Sequence, residues 1–299
     1  MVCTGPFLYA LKGNNTLEFM VYQACNDTTL GSDYNPPDPD PNEEAIKVSE
    51  AIQDPAWRPS GSDVCYVRPD DQGVDNVFRI QADGTHEKQL TFFGSGAECS
   101  QPVWSPSDTL IAFTVSLPDS AYSQMGVVNV NDYQVRILTS AGDCENPAWS
   151  PAADWIAYQK CDTTTYWQIY LVSPNGGQEK VLTCDQVDHE QPCFVSSTKV
   201  AYAREGPTGH QEIYTTEGGS EQQLTWVSAD HENPDAAHGT VVFEELDQYG
   251  NTQIVKACLG SNAEVVLTPG GASFESPAID PTGTYVHCVV LPSPVPWRT

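Results

Sequence analysis

One block recurs along this chain at a spacing that few folds accommodate. It reads Asp54-Pro55-Ala56-Trp57-Arg58-Pro59, then Gln101-Pro102-Val103-Trp104-Ser105-Pro106, then Asn146-Pro147-Ala148-Trp149-Ser150-Pro151, with weaker copies beginning at Pro192, Pro234 and Pro277. Successive prolines lie 47, 45, 45, 42 and 43 residues apart. A period of about 45 residues is the size of one four-stranded propeller blade, a unit that buries its faces only by stacking on its neighbours.

Each period carries the same four strand signals. The block itself is followed by an apolar run, such as Ile111-Ala112-Phe113-Thr114, Ile156-Ala157-Tyr158 or Val200-Ala201-Tyr202. A third run follows, and a fourth that ends in Leu90-Thr91, Leu138-Thr139, Leu182-Thr183, Leu224-Thr225 or Leu267-Thr268. Turns such as Asp83-Gly84 and Gly218-Gly219 separate the last two, as tight hairpins require. The sixth unit has two strands before the chain ends at Pro292-Ser293-Pro294-Val295-Pro296-Trp297. Its third and fourth strands are expected at the other terminus, in Phe7-Leu8-Tyr9-Ala10-Leu11 and Leu17-Glu18-Phe19-Met20-Val21-Tyr22 around the turn Lys12-Gly13-Asn14-Asn15. Such a closure hides two strand edges.

The pattern resembles the WD40-like repeat of the TolB family, with its Pro-x-Trp-Ser-Pro block, Ile-Ala-Phe strand, Ile-Tyr strand and terminal Leu-Thr. The likeness is strongest at Trp104-Ser105-Pro106-Ser107-Asp108 and Trp149-Ser150-Pro151-Ala152-Ala153-Asp154, and fades at Asp235-Ala236-Ala237-His238-Gly239. The expected fold is all-β: a six-bladed β-propeller of four-stranded blades, closed by N-terminal strands completing the C-terminal blade. It would be a single domain over residues 1–299, with residues 7–22 completing the last blade and blades starting near residues 54, 101, 146, 191, 233 and 276. The Pro/Asp-rich residues 31–49 read as a stiff connector, since their prolines fix φ and remove donors. The stretch after Asn42 is either a short capped helix or an extended crossing.

With 40 Asp+Glu against 13 Lys+Arg the net charge is −27, which opposes attraction to phosphate backbones and anionic lipid heads. No nucleic-acid partner is therefore expected. No apolar run approaches the roughly 20 residues that span a bilayer, so no membrane insertion is expected either. Ten cysteines without a C-x-x-C pair point to an oxidising, extracytoplasmic compartment. The start Met1-Val2-Cys3-Thr4 shows no export signal, so a secreted or periplasmic location implies that one was removed or replaced. Pairings to consider are Cys99 with Cys144, Cys184 with Cys193, and Cys3 with Cys25 or Cys288. Asn14-Asn15-Thr16 and Asn26-Asp27-Thr28 match the glycosylation triplet.

The segments just before the repeat prolines read as loops rimming a central channel. They hold Asp143-Cys144-Glu145-Asn146, Asp188-His189-Glu190-Gln191, Asp230-His231-Glu232-Asn233 and Ser273-Phe274-Glu275-Ser276. Glu145, Glu190, Glu232 and Glu275 are the candidate ligand-binding residues. His189 and His231, with these carboxylates, could hold a divalent cation such as Ca, Mn or Zn. The plainer alternative is that the glutamates accept backbone hydrogen bonds while the histidines pack. Trp57, Trp104 and Trp149 share a repeat position and read as packing between blades. Trp167, Trp226 and Trp297 fall outside it and are candidate contact residues.

No G-x-S-x-G elbow, P-loop, H-E-x-x-H or dinucleotide fingerprint is present, and no catalytic residue is assigned. The chain reads as a non-catalytic extracytoplasmic module for protein binding or self-assembly. The alternative is a metal-dependent polysaccharide lyase-like enzyme with a channel-mouth His/Glu site, since some TolB-like propellers resemble oligogalacturonate lyases. The absence of a third histidine in register and the scarcity of arginine weigh against it.

Overall fold

The computed structural model describes residues 52–162, 165–226, 229–261, 263–268, 273–279, 283 and 285–291, with strand residues 11–12, 15–16 and 18–23. Among these residues every regular element is a β-strand, and no helix is long and apolar enough to cross a membrane. The first meander comprises Gln53–Trp57, Asp63–Pro69, Asp75–Gln81 and Lys88–Gln89. The second comprises Glu98–Trp104, Leu110–Ser116, Ser123–Asn129 and Val135–Ile137. One parallel bridge, Asp75 to Glu98, joins these two into a continuous eight-stranded sheet, whose halves are counted below as the first and second sheets. Three separate four-stranded sheets follow. They are Asp143–Trp149, Ile156–Cys161, Gln168–Val172 and Lys180–Val181; His189–Phe194, Lys199–Glu205, Gln211–Glu217 and Ser220–Gln223; and His231–Ala237, Thr240–Leu246, Thr252–Cys258 and Glu264–Val266. The last sheet holds Ser273–Ile279, Tyr285–Leu291 and Glu18–Gln23.

The N-terminal strand thus joins the C-terminal pair, but one place inward of the expected position. Glu18–Gln23 pairs directly with Tyr285–Leu291 and is the third strand of its sheet, where residues 17–22 were expected as the fourth. The physical reason lies in strand character. Outer strands elsewhere are short and largely polar, like Lys88–Gln89 and Ser220–Gln223, as exposed edges should be. The run Phe19-Met20-Val21-Tyr22 is apolar and pairs over six residues, which suits a more interior place. Residues 7–10, the connector 31–49 and Trp297 lie outside the described residues.

The first strand of each sheet lies beside that of the next, from Gln53–Trp57 through to Ser273–Ile279. One apolar layer fills each interval. Phe113, Trp104 and Cys99 pack on Cys65, Val77 and Leu90; Tyr158 and Trp149 on Met125 and Leu138; Tyr202 and Phe194 on Ile169. Phe243 then packs on Ile213 and Leu224, and Phe274 and Ile279 on Val242 and Ile254. The second-strand aromatics Tyr66, Phe113, Tyr158, Tyr202 and Phe243 are fully buried, each contributing roughly 1.5–3 kcal/mol of hydrophobic stabilisation. Trp149 also donates its indole N–H to Val103 O across the interval at 3.1 Å, which places this tryptophan between sheets as its repeat position implied.

The recurring Leu-Thr is a clasp. In five sheets the leucine N–H donates to a third-strand carbonyl at 2.8 Å: Val77, Met125, Ile169, Ile213 and Ile254. The threonine Oγ1 accepts the N–H of the same residue at 2.8–3.0 Å, in a site where that amide would otherwise be buried without a partner. We therefore expect Thr183→Val, which keeps the shape and removes the acceptor, to cost about 1–3 kcal/mol. A urea titration checks this, with Thr183→Ser recovering most of the loss; equal destabilisation by valine and serine would contradict the clasp.

A second repeated device sits at the innermost strands. Asp54, Gln101, Asn146, Gln191, Asn233 and Ser276, the residues before the six repeat prolines, all have φ between 49° and 54°. At each, the pairing of first and second strand slips by one residue, a β-bulge. Non-glycine residues accept this left-handed geometry only where the surroundings compensate it. The compensation is a belt of hydrogen bonds from sheet to sheet. Gln101 N donates to Asp54 Oδ2 at 2.8 Å, and Asn146 N to Gln101 Oε1 at 2.8 Å, while Gln101 Nε2 returns a bond to Asn146 Oδ1 at 2.6 Å. Gln191 N donates to Gln159 Oε1, Asn233 N to Gln191 Oε1 and Ser276 N to Glu244 Oε1, at 2.8, 2.8 and 2.7 Å.

Candidate functional site

The segments expected as channel-rim loops are the opening halves of first strands. Glu145, Glu190, Glu232 and Glu275 all sit inside strands, next to the bulge. Because alternate strand residues face opposite ways, each glutamate is separated from the residue before it. Cys144, His189, His231 and Phe274 turn into the layers between sheets and are buried, whereas the four glutamates are half-buried or exposed. The histidines and glutamates of these segments therefore point to opposite sides of their strands.

His189 and His231 instead enter two separate clusters. His189 Nε2 lies 3.1 Å from Glu221 Oε1 and its Nδ1 lies 3.0 Å from Val187 O, with Arg204 also 2.6 Å from Glu221. His231 Nε2 lies 3.1 Å from Glu245 Oε2 and its Nδ1 3.2 Å from Glu212 Oε2. Burial acts to lower the His231 pKa, but the Glu245 hydrogen bond and the charges of Glu212, Glu245 and Glu264 raise it above the usual histidine value.

Two of the expected cysteine pairings, Cys99 with Cys144 and Cys184 with Cys193, are corrected. Cys65, Cys99, Cys144, Cys184, Cys193 and Cys258 are free thiols. Cys99 faces Thr91 and Cys144 faces Thr139, in two different layers between sheets, so they cannot meet. Cys184 is exposed while Cys193 is buried. Burial lifts Cys99 to about 12 and Cys144 to about 11, leaving neither as a thiolate near neutrality. Cys3 and Cys25 lie outside the described residues.

The glutamates do influence one another. Glu190 is held above the usual carboxylate range by burial first, then by Asp188, Glu232 and Glu145; Glu145 is raised by burial and by Asp143. Glu244, raised chiefly by burial, also feels Glu275 and Glu232. Successive innermost strands thus carry a continuous negative field.

In these antiparallel meanders, the second-to-third-strand hairpins and the connections into the next first strand emerge at the same end as these carboxylates. That end also carries most exposed aromatics. Phe92 and Trp226 follow two of the Leu-Thr clasps and are 71% and 62% exposed, and the hairpin residue Tyr249 is 80% exposed. Tyr122 and Tyr166 belong to two further hairpins there. An open pocket of about 450 Å³ is lined by Tyr122, Trp167, Asp143 and Glu145 together with Ser116, Ser120, Ala121 and Ser123. Asp143 Oδ1 accepts the Ser123 N–H at 3.0 Å, which fixes one carboxylate in its wall. Sequence spacing singled out Trp167, Trp226 and the glutamates but missed Tyr122 and Asp143, whose roles depend on hairpin placement.

Stacked four-stranded antiparallel meanders with their first strands side by side are the architecture of a β-propeller. The TolB beta propeller domain family matches residues 42–198, and the chain belongs to that family. A putative TolB from Agrobacterium tumefaciens superposes with a TM-score of 0.66 at 18% identity, covering 82% of this chain and 92% of that one. An oligogalacturonate lyase from Vibrio parahaemolyticus has a TM-score of 0.60 at 9% identity, covering 93% and 97%. At such identities these likenesses show the fold alone. An uncharacterized peptidase of Bacillus subtilis, YuxL, is 24% identical over 141 residues, 47% of this chain, and the chain spans 20% of that protein's length.

Proposed function

We propose that this chain is a non-catalytic, extracytoplasmic binding module, a six-bladed propeller whose ring is completed where Glu18–Gln23 joins the last sheet. Its acidic end receives a cationic segment of a partner protein. The observation that carries this reading is the open pocket in which Asp143 and Glu145 stand with Tyr122 and Trp167. Carboxylates flanked by aromatic faces suit a Lys or Arg side chain, which gains an ion pair and a cation–π contact together. The net charge of −27 adds long-range attraction for such a partner. The extracytoplasmic assignment rests on this acidity and on the TolB likeness rather than on disulfides, since six cysteines are free thiols. His189 and His231 have different carboxylate partners, Glu221 and Glu245, which favours the binding reading over the lyase-like alternative.

The test is a calorimetric titration with a Lys/Arg-rich peptide of about ten residues at two salt concentrations. Saturable binding is expected, weakening steeply with salt and weakening about tenfold in the Glu145→Gln, Trp167→Ser double variant. Binding that ignores both salt and variant overturns the reading. So does an unsaturated sugar product formed from galacturonan by the same preparation.

A further inference from the structure

The two histidine clusters differ in what balances their carboxylates, and the difference follows a repeat position by position. In three sheets a glutamate in or immediately before the fourth strand meets a tyrosine hydroxyl and a cation from the second strand: Glu87 with Tyr66 and Arg68, Glu179 with Tyr158 and Lys160, Glu221 with Tyr202 and Arg204. In the fifth sheet Phe243 replaces the tyrosine and Glu245 stands where the cation belongs, so Glu264 faces a second carboxylate. A third substitution acts across the interval. Where other sheets place Asn76, Gln124, Gln168 or Gln253 beside the Leu-Thr clasp, the fourth places Glu212, nearly fully buried and accepting the Thr225 hydroxyl at 2.6 Å. Three carboxylates therefore share one imidazole, that of His231, which is completely buried.

Two atoms in this cluster are left unsatisfied. His231 Nδ1 and Glu264 Oε2 are buried without a hydrogen-bond partner, although Glu212 Oε2 is 3.2 Å from the former. One ligand atom from each of His231, Glu245 and Glu264 lies within 4.8 Å of the other two. Around these sit groups suited to orienting them. Gln253 Nε2 donates to Glu245 Oε1 at 2.5 Å, the Trp226 N–H donates to Glu264 Oε1 at 3.1 Å, and Glu212 lies beside the imidazole nitrogen that faces away from Glu245. The Asp185–His189–Glu221 group is equally compact, but Arg204 already occupies the cation's place in it.

We propose that His231, Glu245 and Glu264 form a binding site for a divalent first-row cation, Zn²⁺ or Mn²⁺, between the fourth and fifth sheets, with Glu212 orienting the imidazole. One nitrogen and two or three carboxylates are the donor set these ions accept, and the ion replaces the positive charge that Arg204 supplies one sheet earlier. The site holds sheets together rather than performing chemistry, and it is independent of partner binding at the acidic end.

The experiment uses the full chain, stripped with a chelator, dialysed against Zn²⁺ or Mn²⁺ and analysed for metal by mass spectrometry, with melting followed in parallel. One equivalent of metal is expected, with a rise in melting temperature. Glu245→Arg recreates the ion pair of the neighbouring sheet, so it should fold yet bind no metal and show no metal-dependent rise. Should that variant fail to fold, Glu264→Gln and the amide-restoring Glu212→Gln decide: the first should weaken affinity at least about 100-fold and the second about 10-fold. No stoichiometric metal in the unmodified chain, or undiminished metal in the folded variants, overturns the site.

Discussion

Replacing Glu145, Glu190 and Glu232 together by glutamine is expected to raise the melting temperature at pH 8 by about 3 °C or more, from roughly 1 kcal/mol of relieved repulsion. The same change should weaken binding of a Lys/Arg-rich peptide about 100-fold at low salt. The two effects share one cause, because neighbouring like charges, two of them half-buried, oppose folding and are satisfied by an incoming cation. The pH dependence follows with a definite sign. Glu145, Glu190 and Glu244 have folded-state pKa values above their unfolded ones. The cost of ionising them is fully present above the folded value, is relieved as pH falls through it, and vanishes below about 4.3. Asp235, half-buried where other repeats carry Ala56, Val103 or Ala148, is pushed up to about 6 by desolvation and acts in the same sense. In the metal-free chain the raised His231 adds stability that is complete below about 6.5 and is lost as pH rises through its folded value. The lowered carboxylates of Asp63, Glu87 and Glu245 contribute above about 4 and are lost only under stronger acid. The unmodified protein should therefore melt higher at pH 5 than at pH 8, and the triple variant should flatten that slope. Identical slopes for the two proteins would remove the glutamates as its source.

Asp63→Ala should be the most damaging single substitution outside the apolar layers, at about 2–4 kcal/mol, read as a fall in urea midpoint. Asp63 is 3% exposed and receives Arg58 Nη1 at 2.9 Å, Arg79 Nη1 at 2.6 Å and the Ser62 hydroxyl at 2.6 Å. Burial alone would raise its pKa, but these donors hold it below the usual value. Truncation strands two arginines. It also releases Arg58, which donates to Asp108 O at 2.9 Å and lies 5.0 Å over the Trp104 ring, tying the first meander to the second. Asp63→Asn keeps the volume but not the charge, so it should recover little. A loss below about 1 kcal/mol for alanine would mean that the arginines find water as readily as they found Asp63.

The fold was legible because its signals are local and repeated. Pro-x-Trp marks the innermost strands of the first three repeats, a lone proline those of the other three, and Leu-Thr each clasp, and all depend on contacts within one sheet or with its immediate neighbour. The site was less so. A residue such as Gln101 or Ser276 with φ near 50° before a proline has no single-sequence signature, since its strain is compensated by a carboxylate from the adjacent sheet. Without the bulge, the glutamates read as loop residues, and only strand alternation separates Glu190 from His189. The cluster at His231 was hidden differently: each of Phe243, Glu245, Glu264 and Glu212 is unremarked alone and becomes telling only when aligned with Tyr202, Arg204, Glu221 and Gln168. The cysteines misled because their repeat positions are adjacent in register yet lie in separate layers.

The belt that links Asp54, Gln101, Asn146, Gln191 and Asn233 also governs where the chain tolerates added length. Hydrogen bonds from side chain to neighbouring backbone fix the spacing of the innermost strands, so surplus residues must be taken up elsewhere. The longest period, of 47 residues, takes its excess between Gln89 and Glu98, where eight residues intervene against five between Ile137 and Asp143. These connections, with the hairpins bearing Tyr122 and Tyr249, surround the acidic end. Insertions can thus rework the surface that meets a partner while the axis stays untouched, and recognition can diverge from one homologue to another on an invariant frame.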